Sequence, residues 1–248
     1  MGAIYVMWLR QLIRFWRTKS RIIGSLAQPI LFLVALGFGL GPMFSAAGGG
    51  DYIQFLAPGI IGMSILFTSM FSGMEVIWDR QLGFLKETLV SPSSRFGIFF
   101  GRTLGGATVA LIQGIVLLGV TMLMGFRPLS LMNIPLALVF MFFLAYIFTA
   151  LGTGLASKVA DMQAFPLIMN FIIMPIFFLS GALYPLENAP TAIKGIAVFD
   201  PLSYQIDALR DLLTGASHFG LGIDIMVTIF CILVVTLLGV YLFNKIEV

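Results

Sequence analysis

Long apolar runs alternate with short polar stretches along this chain, and six of the runs are long enough to cross a lipid bilayer. The hydrocarbon core of a bilayer is about 30 Å thick and needs about 20 helical residues. Strands of a membrane barrel would alternate polar and apolar residues over about 10 positions, whereas these runs are continuous. The pattern therefore predicts six transmembrane helices. They span approximately residues 22–41, 57–77, 103–124, 132–156, 164–184 and 222–243.

The composition indicates the same class of protein. Hydrophobic residues make up 59% of the 248 residues and charged residues 10%, whereas about a quarter of the residues of soluble domains are charged. We therefore expect an all-α, polytopic membrane protein surrounded by lipid, with residues 1–248 forming one membrane domain. The net charge of +3 is too small to indicate a nucleic-acid partner.

The distribution of basic residues predicts the orientation. With the amino terminus in the cytoplasm, eleven of the fourteen Lys and Arg residues fall in cytoplasmic segments and three in outer segments. Cytoplasmic loops of membrane proteins carry such an excess of Lys and Arg. Because an even number of spans returns the chain to its starting side, both termini are predicted to be cytoplasmic.

Residues 1–21 have the pattern of an amphipathic helix at about 100° per residue. The basic stripe contains Arg10, Arg14, Arg17 and Arg21. The opposite face contains Tyr5, Trp8, Leu12 and Phe15. We expect this helix to lie in the inner membrane interface, where Trp8 and Trp16 suit the headgroup region and the arginines reach lipid phosphates or a cytoplasmic partner. It would serve either as an anchor or as a mechanical linkage.

The stretch DRQLGFLKETLVSPSSR, residues 79–95, is a cytoplasmic loop in this topology. Its basic residues follow from the orientation, but its leucines do not. Leu82, Leu85 and Leu89 recur at intervals that place them along one edge of a short helix, which Pro92 would end. An apolar edge among charged residues predicts a docking surface for a partner protein.

The outer segment at residues 185–221 contains FDPLSYQIDALRDLLTG. Asp200 is placed to cap a helix that begins at Pro201 and ends at Gly215. One face of this helix would carry Leu202, Ile206, Leu209 and Leu213. We expect it to lie in the outer interface or to dip into the membrane.

Enzyme motifs are absent from the sequence, which has one histidine, His218, and one cysteine, Cys231. It contains no HExxH, GxSxG or GxxxxGK[ST] pattern, so we expect no catalytic, metal or nucleotide site in this chain. Glu75 and Asp224 fall near span ends, and the span centres hold no ionisable residue. This argues against coupling to protons or ions and against an intramembrane enzyme.

The spans contain small and polarisable residues. Gly37 and Gly41, like Gly101 and Gly105, have the four-residue spacing that permits close helix packing. The fifth span contains Pro166, Asn170 and Pro175, which suit either a gate or a static kink. A substrate pathway between the second and fifth spans is one interpretation, and ordinary packing is the other. Its candidate lining residues are Phe67, Met70, Phe71, Met169, Asn170, Met174 and Phe177.

Four stretches together resemble the membrane subunit, or permease, of an ABC-2 type transporter. They are the basic amphipathic amino-terminal helix, YIQFLAPGIIGMSILFTSMFSG, DRQLGFLKETLVSPSSRFGIFFGR and FFLSGALYPLENAPTAIKGIAVFDPLSYQIDALR. The resemblance implies an exporter in the cytoplasmic membrane of a prokaryote, in which two six-span permeases bind two ATPase subunits. The partner ATPase would use ATP and Mg, and this chain would bind no cofactor.

The resemblance also implies roles for particular segments. A coupling helix that enters the ATPase would comprise Leu82, Gly83, Phe84, Leu85, Lys86, Glu87, Thr88 and Leu89. The connecting helix would cover Tyr5 to Arg17, with Trp8, Arg10 and Arg14 among its residues, and short outer helices would cover Leu186 to Leu213. The family exports drugs, lipids and lipid-linked or capsular polysaccharides, and its drug-resistance and nodulation-export branches are the most similar. A passive channel or scaffold without an ATPase is the alternative.

Overall fold

The computed structural model describes residues 2–46, 50–90, 94–159 and 161–246, and every regular element in these ranges is helical. The α-helices are α1 (Gly2–Arg17), α2 (Lys19–Ala46), α3 (Tyr52–Ser72), α4 (Met74–Gln81), α5 (Phe84–Val90), α6 (Arg95–Leu123), α7 (Ile134–Ala156), α8 (Ala164–Leu179), α9 (Thr191–Ala197), α10 (Pro201–Thr214) and α11 (Leu221–Asn244). Short 3₁₀ turns cover Leu131–Asn133 and Leu186–Asn188. The predicted all-α membrane class is confirmed.

Five helical stretches in the described ranges are long and apolar enough to cross a membrane. They are Ile22–Ala46, Tyr52–Gln81, Arg95–Leu123, Leu131–Ala156 and Leu221–Asn244. The predicted span at 164–184 corresponds to α8, which has 16 residues. At 1.5 Å per residue α8 is about 24 Å long, which is shorter than the hydrocarbon core of about 30 Å.

Two predicted boundaries differ from the structure for identifiable reasons. Helix α8 ends at Leu179 because Gly181, with a φ of 75°, turns the chain into the left-handed region. Helix α6 begins eight residues before the predicted position 103, because the Ser94 hydroxyl caps it and accepts the backbone N–H of Gly97 at 3.1 Å. Its Arg102 is buried rather than placed at a solvated helix end.

Helices α3, α6 and α7 form the centre of the bundle, and α2 and α11 lie at its rim with many exposed apolar side chains. The junction between α3 and α4 passes very close to α7. A Cβ atom placed on Gly73 would lie 2.3 Å from the carbonyl oxygen of Gly152. Only glycine fits at such a contact between two backbones, so the path of α3 into α4 is fixed by α7.

Hydrogen bonds define two ends of the bundle. At the amino-terminal end, the Arg80 side chain donates to the carbonyl of Ser157 at 2.8 Å, and Arg95 donates to the carbonyl of Asn244 at 2.6 Å. These bonds bring the start of α6 and the ends of α4, α7 and α11 together. We call this the amino-terminal end because α1 also lies there.

The far end collects the opposite termini of the same helices. The Gln54 amide donates to the carbonyl of Gly125 at 3.1 Å, and the backbone N–H of Leu129 donates to the carbonyl of Leu213 at 2.8 Å. The start of α3, the loop after α6 and the end of α10 are therefore neighbours.

Helix α10 forms where the sequence predicts it. The Asp200 carboxylate caps it by accepting the backbone N–H of Leu202 at 2.9 Å, and Gly215 ends it with a φ of 75°. Its predicted apolar face is buried: Leu202, Ile206, Leu209 and Leu213. Helix α10 packs against α3, α7 and α11, so it is inserted between the long helices instead of covering them.

Candidate functional site

The amino-terminal helix α1 lies in a groove along the first turns of α6. Cβ atoms placed on Gly101 and Gly105 would lie 2.7 Å from the carbonyl oxygen of Ile4 and 2.6 Å from Cβ of Gln11, respectively. The glycines therefore allow α1 to approach α6 closely, and this confirms the packing predicted from their spacing. The Gly37 and Gly41 pair differs, because only Gly37 has a neighbour within 4 Å.

The two predicted interfacial tryptophans have different environments. Trp8 faces α6, and its indole Nε1–H donates to the Thr108 hydroxyl at 3.1 Å. Trp16 remains exposed, as a headgroup residue would be. One tryptophan thus fixes α1 to the bundle, while the other leaves a side chain available to lipid.

A cluster of five charged side chains connects α1, α4 and α6. Arg10 pairs with Asp79 at 2.8 Å and Arg14 with Glu75 at 3.4 Å. The second oxygen of Asp79 pairs with Arg102 of α6 at 2.5 Å. Asp79, Glu75 and Arg102 are buried. We call these five residues the ion cluster; through it, a single carboxylate joins three helices.

The ion cluster corrects the expectation for the basic stripe of α1. Arg10 and Arg14 each pair with an acid of the same chain. Their charges are therefore directed into the protein and not toward lipid phosphates. Arg17 is the exposed member of the stripe, and the side chain of Arg21 lies outside the described part of the chain. The inward arginines make α1 part of the bundle.

The sequence carries a signal for this cluster in the spacing of its charges, although the motifs above did not indicate it. Glu75 and Asp79 are four residues apart, as are Arg10 and Arg14. Side chains with this spacing lie on one face of a helix. Two acids on one helix and two bases on another can therefore pair in register. Arg102 carries no such signal, because its partner is 23 residues away in the sequence.

The predicted coupling helix is present as α5, but its leucines do not form one exposed edge. Leu85 is 0% exposed and belongs to the core, whereas Leu82 is 65% exposed at the end of α4. Gly83, with a φ of 81°, separates the two helices and changes the direction of the chain. The predicted common edge is therefore wrong, because Leu85 attaches α5 to its own bundle.

The exposed surface of α5 nevertheless combines apolar and charged side chains. Phe84 is 47% exposed, and Lys86 and Glu87 are exposed beside it. The Thr88 hydroxyl donates back to the carbonyl of Phe84 at 2.8 Å. The side chain of Leu89 and the predicted stop at Pro92 lie outside the described part of the chain. Leu82, Phe84 and Val90, which is 85% exposed at the end of α5, are thus apolar residues that this segment offers to a partner.

One contact connects this exposed surface to the ion cluster. The Arg10 guanidinium lies 5.9 Å from the centre of the Phe84 ring while it pairs with Asp79. Arg14 has the same distance from the Trp78 ring. A force on Phe84 would therefore act directly on an arginine whose partner carboxylate also holds α6.

The candidate pathway residues do not share one cavity. Phe67 and Phe71 line a cavity of about 230 Å³ between α2, α3 and α6. The other predicted lining residues are placed differently: Met70, Met169 and Phe177 are in the core, Met174 is half-buried and Asn170 is exposed. Helix α8 thus contributes none of the residues that line this cavity.

Within the described ranges, no three His, Cys, Asp or Glu side chains are grouped so that they could hold a metal ion.

These features define a polytopic helical membrane protein with a charged, helix-joining assembly at one end. Residues 2–214 match the ABC-2 type transporter family, and the chain therefore belongs to that family. The resemblance predicted from the sequence motifs is confirmed.

Several named proteins are similar over most of the chain. Nodulation protein J of Rhizobium leguminosarum bv. trifolii is 29% identical over 212 residues, which cover 84% of this chain and 80% of that protein. Nodulation protein J of Sinorhizobium fredii is 30% identical, with coverages of 87% and 82%. A protein named as transport permease ycf38 in Cyanophora paradoxa is 28% identical, with coverages of 98% and 88%.

Proposed function

We propose that this chain is the permease subunit of an ATP-driven exporter that moves a hydrophobic or amphipathic compound across a membrane. The observation that carries this proposal is the continuous contact from the exposed ring of Phe84 through Arg10 and Asp79 to Arg102. A surface that receives a partner is thereby connected to the long helices. Family membership supports the transport class.

The proposed topology has six spans, with α8 and the following residues to 184 forming the fifth and with both termini in the cytoplasm. The Lys and Arg distribution supports this orientation. The protein would be a single transmembrane domain of the cytoplasmic membrane of a prokaryote. Two permease copies would form the pathway, and each would bind an ATPase subunit that uses ATP and Mg.

Movement of the ATPase would reach the pathway through α4. Helix α5 is connected to α4 by Gly83, and Leu85 fixes it to the core, so α5 and α4 would shift together. Helix α4 continues into α3 at Gly73, and α3 carries Phe67 and Phe71 in the cavity. A displacement at α5 would therefore change the width of that cavity.

Two classes of substrate are compatible with the proposed export function. Drugs or lipids fit the apolar character of the spans. The sequence motifs resemble the drug-resistance and nodulation-export branches, and the relatives named Nodulation protein J favour the second of these. Lipid-linked glycans are the alternative within the same family, because their lipid supplies much of their membrane chemistry. A passive channel or scaffold would require that no ATPase binds the chain.

The ATPase contact can be tested with Leu82→Asp and Phe84→Asp in the full chain, isolated from its native membrane in mild detergent. We expect both variants to insert normally and the amount of co-purifying ATPase to fall at least about tenfold. An apolar side chain that becomes buried in a complex typically dominates the interface. Leu131→Asp is the control, because Leu131 is 73% exposed at the far end. Full ATPase recovery with both α5 variants would contradict the proposed contact.

A further inference from the structure

A polar site lies among apolar helices in the cavity between α2, α3 and α6. The cavity has a volume of about 230 Å³. Its lining residues are Gly24, Ser25, Gln28, Phe67, Thr68, Phe71, Val109 and Gln113. None of these side chains is charged, but four of them carry hydroxyl or amide groups. The site can therefore hydrogen-bond a ligand without offering a counter-ion.

Gln113 of α6 is the buried centre of the site, with 2% of its surface exposed. Its amide oxygen accepts the hydroxyl of Thr68 from α3, and its Nε2 donates to the Ser25 hydroxyl of α2 at 2.5 Å. A glutamine amide has two N–H donors, so one remains for a ligand after the bond to Ser25. A polar side chain at this depth is costly unless it is satisfied.

Gln28 forms the open side of the cavity. It is exposed one turn after Ser25, and its side chain makes no hydrogen bond to any residue of the described ranges. Its amide supplies two donors and an acceptor. Together, Gln113 and Gln28 offer both donors and acceptors, and this combination matches a hydroxyl-bearing group, which donates and accepts at the same atom.

The size of the cavity limits what it can hold. Pockets that enclose a drug-sized molecule usually measure about 300–1,000 Å³, so 230 Å³ suits one polar head group and not a complete ligand. Phe67 and Phe71 add ring faces against which the apolar face of such a group can pack. The remainder of the ligand must lie outside the cavity.

The outer face of α2 provides a path for that remainder. Gly24 and Gln28 form the rim, and the same exposed face continues toward the far end through Leu31, Ala35 and Phe38. At 1.5 Å per residue, the rim lies about 3–9 Å from Ile22, where the apolar span begins. A head group held at that depth would leave an alkyl chain along an apolar helix face.

From this geometry we propose that the cavity around Gln113 binds the uncharged, hydroxyl-bearing head group of an amphiphile, whose tail lies along α2. Its interpretation as a substrate site rests on the proposed export function, but binding does not. The hydrogen bonds to Thr68 and Ser25 orient the Gln113 amide, and the free N–H together with Gln28 contacts the ligand. Charged head groups are excluded because the lining has no charge to pair with them.

The test uses the full chain alone in phosphatidylcholine nanodiscs without ATP, so its result does not depend on an ATPase. The probe is an alkyl β-glucoside with a diazirine in its tail, and labelled residues are mapped by mass spectrometry. We expect labelling on the exposed face of α2. Unlabelled octyl glucoside should compete, whereas dodecyltrimethylammonium and dodecyl sulfate at matched membrane concentrations should not.

Two variants distinguish a ligand site from a polar contact that only joins helices. Gly24→Leu places apolar atoms at the cavity rim, and we expect it to leave the Gln113 hydrogen bonds intact, because a Cβ at Gly24 meets no atom within 4 Å. Gly39→Leu is the matched control, since Gly39 is exposed on the same helix with equal space and lies outside the cavity. We expect at least about tenfold less labelling in Gly24→Leu and no change in Gly39→Leu.

Gln113→Leu should weaken labelling roughly three- to tenfold through the loss of one or two hydrogen bonds. Equal labelling of Gly24→Leu and the unchanged chain would overturn the proposal, as would equal competition by the charged amphiphiles. Absence of labelling in the unchanged chain, with a change of oligomeric state in Gly24→Leu, would also overturn it and would assign the cavity to a second copy of the chain. Failure of export with normal labelling would contradict only the proposed function.

Discussion

Charged residues are buried at both ends of the bundle, but the two ends satisfy them differently. At the amino-terminal end, Asp79 of α4 is held by arginine side chains from two other helices, and its pair with Arg102 measures 2.5 Å. At the far end, Asp207 of α10 is held by the backbone N–H groups of His218 and Phe219, each at 2.8 Å. The first carboxylate therefore faces charges, and the second faces peptide dipoles.

This difference has a mechanical consequence. Arginine side chains are long and can follow a carboxylate when helices shift, whereas backbone N–H groups move only with their whole segment. Arg210 of α10 is likewise held by backbone, since it donates to the carbonyl of Gly181 at 3.0 Å and lies 4.0 Å from the Phe55 ring centre. Burial lowers the pKa of Arg210 to about 10, and the charge of Asp207 opposes this shift. We infer that the backbone contacts of Asp207 and Arg210 hold α10 more rigidly than the ion cluster holds α1, α4 and α6.

The largest expected effect is at Asp79. Both Asp79→Ala and Asp79→Asn should lower the free energy of unfolding by about 3–5 kcal/mol, because either leaves the buried Arg102 without its charge partner. The Ala and Asn variants should therefore lose nearly the same free energy of unfolding. Thermal unfolding of the full chain in detergent micelles measures the change. Glu187→Ala and Glu187→Gln, at an exposed acid, are the controls.

Asp207 should respond differently to the same two substitutions. Asp207→Ala leaves two backbone N–H groups and the Ser217 hydroxyl without an acceptor, and we expect a loss of about 2–3 kcal/mol. Asp207→Asn keeps one acceptor oxygen in place, so less than half of that loss is expected. The same unfolding measurement decides the comparison. If Asn proved as damaging as Ala, the carboxylate charge would matter at the far end too.

A glycine tests how closely α1 must lie against α6. An alanine at Gly101 would place its Cβ 2.7 Å from the Ile4 carbonyl oxygen, so Gly101→Ala should displace α1 and increase hydrogen exchange in Gly2–Arg17. Gly119→Ala on the same helix is the control, because a Cβ there meets no atom within 4 Å. Alanine favours helix by about 1 kcal/mol at either site. We expect the two variants to differ by about 2 kcal/mol in unfolding free energy, and equal exchange of α1 in both would argue against the groove.

The sequence predicted elements whose chemistry is local. Helix α10 is an example, because its Asp200 cap and its Gly215 stop lie within the element that they bound. The early end of α8 was not predictable in this way. Its turn at Gly181 packs against Leu186 and accepts a hydrogen bond from Arg210, so it depends on segments that follow later in the chain.

The candidate site was predictable in position but not in its contacts. The positions of α1 and α5 followed from periodicity, while the burial of Leu85 depends on helices that the loop sequence does not describe. The pair between Arg10 and Asp79 joins residues 69 positions apart. Local patterns identify which face of a helix is charged, but they do not identify what that face meets.

The smallest effect concerns the pH dependence of the far end. Burial raises the pKa of the Asp200 carboxyl to about 7, and the hydrogen bond from the Leu202 backbone N–H partly opposes this shift. The usual pKa of aspartate is about 3.9, so between about pH 4 and 7 the folded protein binds more protons than the unfolded chain. The contribution of Asp200 to stability is therefore full below about pH 4 and is lost as the pH rises through about 7.

Asp200→Asn removes this titration but retains a good capping residue. Relative to the unchanged chain, the variant should gain about 1 kcal/mol of stability between pH 6 and pH 8. Asp51→Asn is the matched control, because the Asp51 side chain caps α3 in the same way, accepting the backbone N–H of Ile53 at 2.9 Å, but is exposed. Melting temperatures at the two pH values measure the effect. A stability difference between Asp200→Asn and the unchanged chain that did not vary with pH would show that Asp200 is ionised throughout, and the far end would then hold a second buried carboxylate charge besides that of Asp207.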